Sequence, residues 1–298
     1  FKTLTVLRGN GETSVGGGSR VRSMLVILQF GIAVFLTVST MVVYEQLNYI
    51  QNKDLGYDKE QILILKDVDA AGTQLEAFKQ EVNRIANVQS TSLSGFLPTP
   101  SARNGSTFFP EGHVLETDQA VIIGKWRVDH DYINTLNLEL IAVRDFDEKL
   151  ETDSLGIILN ESTVKMMGKT VDEVMGMRIT DDFRPSNPEA GMRFYTVIGI
   201  VKNFHFESLR NNIDAMSLVL SDEATLMMAK LSAGDFTESI DQIETAWQAV
   251  APGQPFDYYF MDDSFQETYE AEQRLGQIFI TFTILAILVA SLGLFGLS

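Results

Sequence analysis

The sequence predicts an extracytoplasmic α+β domain, built from two βαβ units with a small α+β lobe inserted between them, carried between two transmembrane helices. Three features lead there: two long uncharged apolar runs, a strand–helix–strand pattern at both ends of the stretch between them, and a charge that changes sign after residue 22. The 298 residues hold 23 Lys and Arg against 40 Asp and Glu, a net charge of −17. That balance argues against a nucleic-acid partner, because such binders neutralise phosphates with clustered cations. The absence of Cys excludes a disulfide framework, thiolate zinc sites, Cys nucleophiles and iron–sulfur ligation.

Residues 1–22 carry Lys2, Arg8, Arg20 and Arg22 against Glu12, a net of +3 that leaves −20 on the remainder. They read as a basic cytoplasmic linker, with 10–19 (NGETSVGGGS) flexible. From Ser23 to Tyr44 there are 22 residues without a charge. As a helix these span about 33 Å, enough for a hydrocarbon core of about 30 Å. A signal peptide has a shorter apolar stretch, and a core helix shows a polar stripe that this one lacks. Leu275 to Ser298 form a second uncharged run of 24 residues. The basic end stays in the cytoplasm, so residues 45–274 are expected to be periplasmic in a multi-pass protein of the cell inner membrane. A chain that begins without Met and stops inside a span reads as an excerpt of a longer polypeptide.

Leaving the first span, residues 45–54 continue the helix as a stalk, with Leu47 and Ile50 at i,i+3, until Leu55-Gly56 stops it. A strand at Ile62–Leu65, a helix bearing Leu75, Phe78, Val82 and Ile85 on one face, and a strand at Val88–Phe96 form the first βαβ unit, within 55–124. The inserted lobe, 125–220, has strands at Gly156–Leu159, Phe194–Val201 and Met216–Leu220. It also has short helices near Asp131–Leu138 and Asn160–Met167, and a turn at Phe183–Gly191. The second unit, 221–263, has a strand at Leu226–Leu231, a helix with Phe236, Ile240, Ile243, Trp247 and Val250, and a strand at Phe256–Met261. Asp235 or Thr237 caps that helix and Pro252-Gly253 ends it. Ser264 with Glu267 reads as a capping box opening a second stalk, 264–274, with Phe265 and Tyr269 at i,i+4, running unbroken into the second span at 275–298.

No catalytic constellation emerges. Gly168-Lys169-Thr170 resembles the end of a phosphate-binding loop, but Thr163 stands where the motif needs Gly, and Thr170 with Glu173 fits a capping box better. His113, His130 and His205 are scattered, and no elbow presents a Ser nucleophile. Asp145, Asp147 and Glu148, or Asp262 and Asp263, can be assembled on paper into a cation site, yet solvated faces and caps explain them as well. Met166, Met167, Met175, Met177 and Met192 read as core filler in preference to a binding surface.

The run LRGNGETSVGGGSRVRSMLVILQFGIAVFLTVSTMVVYEQLNYIQNKDLGYDKEQILIL, with Gln29-Phe30 in the span and Leu55, Gly56, Tyr57 and Asp58 in a Leu-Gly-aromatic-Asp turn, resembles the second half of two-module MacB/FtsX-type ABC transporter permeases. So do RDFDEK (144–149), ILNESTVKMMG (158–168) and VIGIVKNFHFESLR (197–210), which resemble the inserted lobe of that family's periplasmic core domain, and FDYYFMDDSFQETYEAEQRLGQIF, where the domain re-enters the membrane. The matching structural residues are Leu55, Gly56, Asn160, Glu161, Gly168, Gly199, Val201, Asn203, Phe204, Ser208 and Leu209. Two departures stand out: Val143 replaces the Gly usual before Arg-Asp-Phe, and Ser291 replaces a common Cys.

The resemblance implies a non-catalytic permease subunit with porter-like lobes and no cofactor of its own, ATP and Mg being bound by a separate cytoplasmic ABC ATPase. It implies a second permease module, in the same longer chain or as a homodimer, contact with membrane lipid, and a periplasmic or outer-membrane partner. Stalk residues Glu45, Leu47, Ile50, Phe265, Tyr269, Glu272 and Arg274 would then transmit motion, and a Pro at Glu272 would decouple it. A two-span sensory receptor and an ATPase-driven regulator of a cell-wall hydrolase share the same topology and stay open as alternatives.

Overall fold

The computed structural model describes residues 17–98, 105–114, 116–182, 192–207, 209 and 211–295. In chain order the elements are α1 (Gly17–Asn52), β1 (Ile62–Lys66), a 3₁₀ segment (Val68–Gln74), α2 (Leu75–Val82), β2 (Val88–Ser94), β3 (Gly105–Pro110), β4 (Val121–Val128), α3 (Tyr132–Thr135) and β5 (Leu140–Val143). There follow a 3₁₀ segment (Glu151–Leu155), β6 (Gly156–Asn160), α4 (Glu161–Met166), α5 (Val171–Val174), β7 (Arg178–Thr180), β8 (Tyr195–Val201), β9 (Met216–Leu220) and β10 (Leu226–Leu231). The last are α6 (Thr237–Val250), β11 (Tyr258–Phe260), α7 (Met261–Thr268) and α8 (Glu270–Phe295). The chain divides into two compact units, 1–53 with 269–298, and 54–268.

In the first unit α1 and α8 are both long and apolar enough to cross a membrane. They run antiparallel along a seam of small residues: Ala33, Gly276 and Ala290 are buried, and the Thr40 and Thr283 hydroxyls meet at 2.7 Å. Close backbone approach through small side chains is how apolar helices associate where water supplies no driving force. A Cβ on Gly276 would lie 3.0 Å from Leu47 Cδ1, and one on Gly293 would lie 2.7 Å from Gln29 Oε1. Away from the seam, Ile27, Phe35, Met41, Ile284 and Leu288 are exposed.

Several boundaries differ from the sequence expectation. Helix α1 begins at Gly17, inside the segment expected as a flexible linker, and ends at Asn52, two residues short of the expected stalk end; residues 1–16 lie outside the described residues. The unbroken helix expected from Phe265 to Ser298 is two helices. Tyr269 is a turn residue whose carbonyl accepts the first bond of α8 from the Gln273 N–H at 3.0 Å. Met261, expected in a strand, opens α7, so Ser264 lies within that helix and does not cap it. Asp262 and Asp263 in its first turn complement the positive end of the helix dipole, which favours the earlier start. Residues 296–298 and 183–191, the latter expected as a turn, lie outside the described residues.

The second unit is mixed α+β. The two βαβ units do not form separate lobes. Strands β1 and β2 flank β10, and β10 and β11 flank β1, so the order is β11-β1-β10-β2 with antiparallel neighbours throughout. This interleaved split βαβ arrangement makes one four-stranded sheet from the two ends of the region. Helices α2 and α6 cover one face, where Phe78, Val82, Ile243 and Trp247 pack on Leu63, Leu65, Met227 and Leu231. The Phe78 and Trp247 rings meet edge to face at 5.3 Å, and Trp247 donates to the Pro255 carbonyl at 3.0 Å.

The middle of the chain closes on itself. Strand β4 pairs with β3, β3 with β7, β7 with β8, β8 with β6, β6 with β9, and β9 returns to β4, completing a six-stranded barrel. Closure removes sheet edges, and Phe108, Ile123, Ile157, Ile179 and Val197 fill the interior. The expected start of the insert at residue 125 falls inside β4; β3 and all of β4 belong to the barrel. Lys125 lies near the barrel interior and donates to Asp181 at 2.8 Å and the Tyr195 hydroxyl at 3.0 Å. Strand β5 is added to β8 beyond β7. The ladder between β2 and β4 has one residue pair, Ser94 with Val128, and the Gly95 N–H to Arg127 carbonyl and Asp129 N–H to Leu93 carbonyl bonds add to it.

Candidate coupling joint

Asn52 ends α1, and residues 55–58, shortly after it, are held by the segment after α3, the segment after β8, Pro98 and β10. Asp54 Oδ1 accepts from the Gly56 N–H at 2.9 Å, and Gly56 has φ +81, which only glycine adopts without strain. A Cβ there would also meet Phe204 Cβ at 3.0 Å and the Asn203 carbonyl oxygen at 3.2 Å. The Leu55 carbonyl accepts from the His205 N–H at 2.7 Å, the Asp58 N–H donates to the Leu136 carbonyl at 2.9 Å, and Lys230 on β10 donates to the Asp58 carboxylate at 2.6 Å. Tyr57 packs edge-on against Phe204 at 6.3 Å and donates to the Pro98 carbonyl at 2.7 Å. Phe204 and Phe206 complete an aromatic cluster with Trp126 and Tyr132.

Behind this turn a second knot ties strand to helix. Asn160, wholly buried, caps α4: its side-chain oxygen accepts from the Thr163 N–H at 3.0 Å, the Thr163 hydroxyl at 2.7 Å and the Met216 N–H at 3.1 Å. Its amide donates to the Asp214 carbonyl at 2.8 Å. Next to it the Glu161 carboxylate accepts from the Asn203 N–H at 2.8 Å while Asn203 accepts from the Ser162 N–H at 3.0 Å. Leu55, Gly56, Asn160, Glu161, Asn203 and Phe204 thus form one continuous joint. Val201 is buried at the end of β8, Leu209 is half-buried, and Ser208 lies outside the described residues.

Gly168 has φ +64 and ends α4, with its N–H bonded to the Lys165 carbonyl and that of Lys169 to Val164. Helix α4 precedes this Gly-Lys-Thr where a phosphate-binding loop needs a strand and a Gly-rich turn, and Glu173 accepts from the Thr170 N–H and hydroxyl as the cap of α5.

The stalk residues fall in both units. Glu45, Leu47 and Ile50 lie on α1; buried Tyr269 precedes half-buried Glu272 and exposed Arg274, which pairs with Glu270 at 2.7 Å. Phe265 belongs to α7 of the globular unit, with the Lys59 ammonium 4.0 Å above its ring. Of the residues expected to form the second stalk, those from Tyr269 to Arg274 share a compact unit with α1.

The carboxylates singled out earlier are not gathered for a cation; among the described residues no group of three or more His, Asp or Glu could hold a metal. Asp153, buried and unremarked in the sequence, takes both guanidinium nitrogens of Arg144 and the Asp147 N–H at 2.9 Å. The Arg144 hydrogen bonds hold the Asp153 carboxyl below the usual range. Lys79, also unremarked, is 6% exposed and reaches Asp129 at 2.8 Å and Asp131 at 2.5 Å. Burial opposes its charge, but the two carboxylates more than offset that and hold the ammonium above its usual range. A lysine on a helix face carries no local sign of burial.

An interleaved βαβ sheet carrying a barrel between its halves, with one apolar helix before it and another after it in the chain, is a mixed α+β fold similar to that of MacB-like periplasmic domains. No family model matches the sequence and no curated protein matches it significantly. Among solved structures, the periplasmic region of MacB from Actinobacillus actinomycetemcomitans superposes with a TM-score of 0.50 at 11% identity, over 74% of this chain and 97% of that one. A domain of a putative permease protein from Porphyromonas gingivalis aligns at 16% identity and a TM-score of 0.46, over 67% and 88%. The extracellular domain of the noncanonic ABC-type transporter YknZ from Gram-positive bacteria aligns at 12% and 0.43, over 61% and 86%.

Proposed function

We propose that the chain is part of a non-catalytic ABC transporter permease, in which a separate cytoplasmic ATPase moves the membrane helices and the motion is delivered to a periplasmic domain. The ATPase binds ATP and Mg, and a second permease module completes the membrane part. Export or extraction of a peptide, lipoprotein or drug follows from that design. The observation that carries this reading is the joint at residues 55–58. Helix α1 is a single 36-residue helix, about 54 Å long, and a rigid rod of that length passes displacement from one end to the other. Three residues after it, the chain is bonded at once to β10, to the segment after α3 and to the segment after β8.

The break at Tyr269 moves the test from α8 to α1. Glu272 lies in the first turn of α8, where Pro is tolerated, so a Pro there leaves the helix intact. Gln46, exposed and beyond the apolar run, is inside α1. The experiment is affinity purification of the full-length membrane protein in detergent, assaying ATPase turnover of what co-purifies, for the parent, Gln46→Pro and Gln46→Ala. An ATPase that co-purifies with all three, with the dependence of its turnover on this protein lost only in Gln46→Pro, supports the reading. Recovery of a signalling kinase and no ATPase overturns it in favour of a sensor.

A further inference from the structure

One residue of the globular unit is held in a conformation its side chain resists, and gains no burial for it. Val143 ends β5 at φ +61, left-handed backbone that a β-branched residue adopts only under strain, and it is 74% exposed. Packing does not offset that cost. Strain that folding leaves uncompensated marks a position held for another purpose.

The mount is firm. The next carbonyl, of Arg144, sits over Gly199 of β8, and the Arg144 guanidinium is clamped by buried Asp153. Asp153 gathers the rest of the loop: its carboxylate accepts from the Asp147 N–H at 2.9 Å and its own N–H donates to the Leu150 carbonyl at 2.9 Å. A Cβ on Gly156 would lie 2.8 Å from Ile198 Cδ1, so the end of the loop lies close against β8. Leu150 and Leu155, on either side of Asp153, are exposed, and so is Ile141 on β5, whose one strand neighbour among the described residues is β8. Large apolar side chains gathered in solvent beside polar residues mark an interaction site.

We propose that Ile141, Val143, Leu150 and Leu155 form a docking surface for a basic, apolar segment of another protein, with Val143 as its anchor. Charge selects this occupant. Asp147, Glu148 and Glu151 of the same loop are exposed against one exposed cation, Lys149, and the charge of Arg144 is taken up by Asp153. A two-fold pair of copies would set these carboxylates against themselves, and an anionic lipid surface would meet them with like charge. Lys and Arg of the bound segment face the carboxylates while its apolar side chains cover Val143 and Leu155, an apolar centre inside a charged rim. Holding Val143 outward beforehand lowers the ordering cost of binding. The surface stands whether or not the chain serves a transporter.

The chain has no Cys, so a spin label at Ser154→Cys, exposed beside Leu155, reports this surface without background in the whole protein. The protein is held in nanodiscs with and without anionic lipid, and the probe is a synthetic peptide of alternating Lys and Leu, with Glu-Leu and Lys-Ser peptides as controls. The label is expected to be open to an aqueous relaxation agent in both lipids and to be immobilised by the Lys-Leu peptide alone. Peptide affinity is expected to fall about tenfold in Val143→Gly and to stay unchanged in Ile122→Ser, which alters an exposed apolar residue on β4. Val143→Gly relieves the strain, so its loss of affinity comes with an undiminished Tm and is separable from loss of fold. Equal affinity in the parent and Val143→Gly, equal binding of the Glu-Leu peptide, or a label already sheltered by anionic lipid or by a second copy before peptide is added overturns the proposal.

Discussion

A Cβ at Gly199 would lie 2.5 Å from the carbonyl oxygen of Arg144, with the Ile158 side chain at 3.4 Å on another side. Strand β8 therefore accepts the turn after β5 only because residue 199 has no side chain. Gly199→Ala is expected to destabilise the globular unit by about 1–3 kcal/mol through overpacking, about 2–4 °C in Tm for each kcal/mol. Thermal unfolding followed by circular dichroism checks this, and an unchanged Tm would contradict the contact.

The same turn stores strain one residue earlier. Val143 has φ +61 with its side chain 74% exposed, so a β-branched residue occupies left-handed backbone with little burial in return. This is the position where the resembling family has Gly. Relief of strain of about 1–3 kcal/mol outweighs the extra chain entropy of Gly, about 0.5–1 kcal/mol, so Val143→Gly is expected to raise stability by about 1 kcal/mol. Val143→Thr, equally branched, is the control that should leave the denaturant midpoint where it is.

Asn160 shows how much rests on one amide. Four partners converge on it: the Thr163 N–H and hydroxyl, the Met216 N–H and the Asp214 carbonyl. Asn160→Ala removes a helix cap worth about 0.5–2 kcal/mol and leaves buried groups unpaired at about 1–3 kcal/mol. A loss of about 3 kcal/mol in urea unfolding is expected; a loss below about 1 kcal/mol would mean that the knot relaxes around the deletion.

What the sequence discloses about this fold follows the buried apolar runs. Strands β9 and β10 lie where Met216–Leu220 and Leu226–Leu231 place them, since strands buried on both faces read as continuous hydrophobic runs. Strand β4 is masked because its alternation changes phase at Gly124-Lys125: Val121 and Ile123 face the barrel interior, whereas Trp126 and Val128 are buried in the opposite register. Strand β7 has three residues, too few for any period. The interleaving of β1 and β10 is a long-range pairing with no local sign. The joint was half legible: Gly56, Asn160, Asn203 and Phe204 stood out by resemblance, but their meeting at one point depends on which strands the barrel closes together.

Thr91 illustrates a polar group the fold tolerates without using. It is 1% exposed on β2, opposite Ala229, and its hydroxyl has no hydrogen-bond partner among the described residues. Thr91→Val keeps the shape and removes a desolvated hydroxyl, so a gain of about 1 kcal/mol is expected. If the variant melts lower than the parent, the hydroxyl has a partner in solution, such as a buried water.

Asp145 and Asp153 give the globular unit opposite pH responses in different ranges. Asp145 is raised to about 6 by burial, while its unfolded value is about 3.9. Between those values the folded chain holds a proton that the unfolded chain has released, so stability falls as pH rises from about 4 to about 6 and is then flat with respect to this group. Asp153 is lowered by Arg144, so its contribution is complete at neutral pH and disappears only as pH drops below about 4. Urea midpoints of the whole chain at about pH 4.5, 5.5 and 6.5 are expected to decline in that order, with Asp145→Asn removing the part of the slope due to this residue. A decline of equal steepness in Asp145→Asn would assign the response to another group.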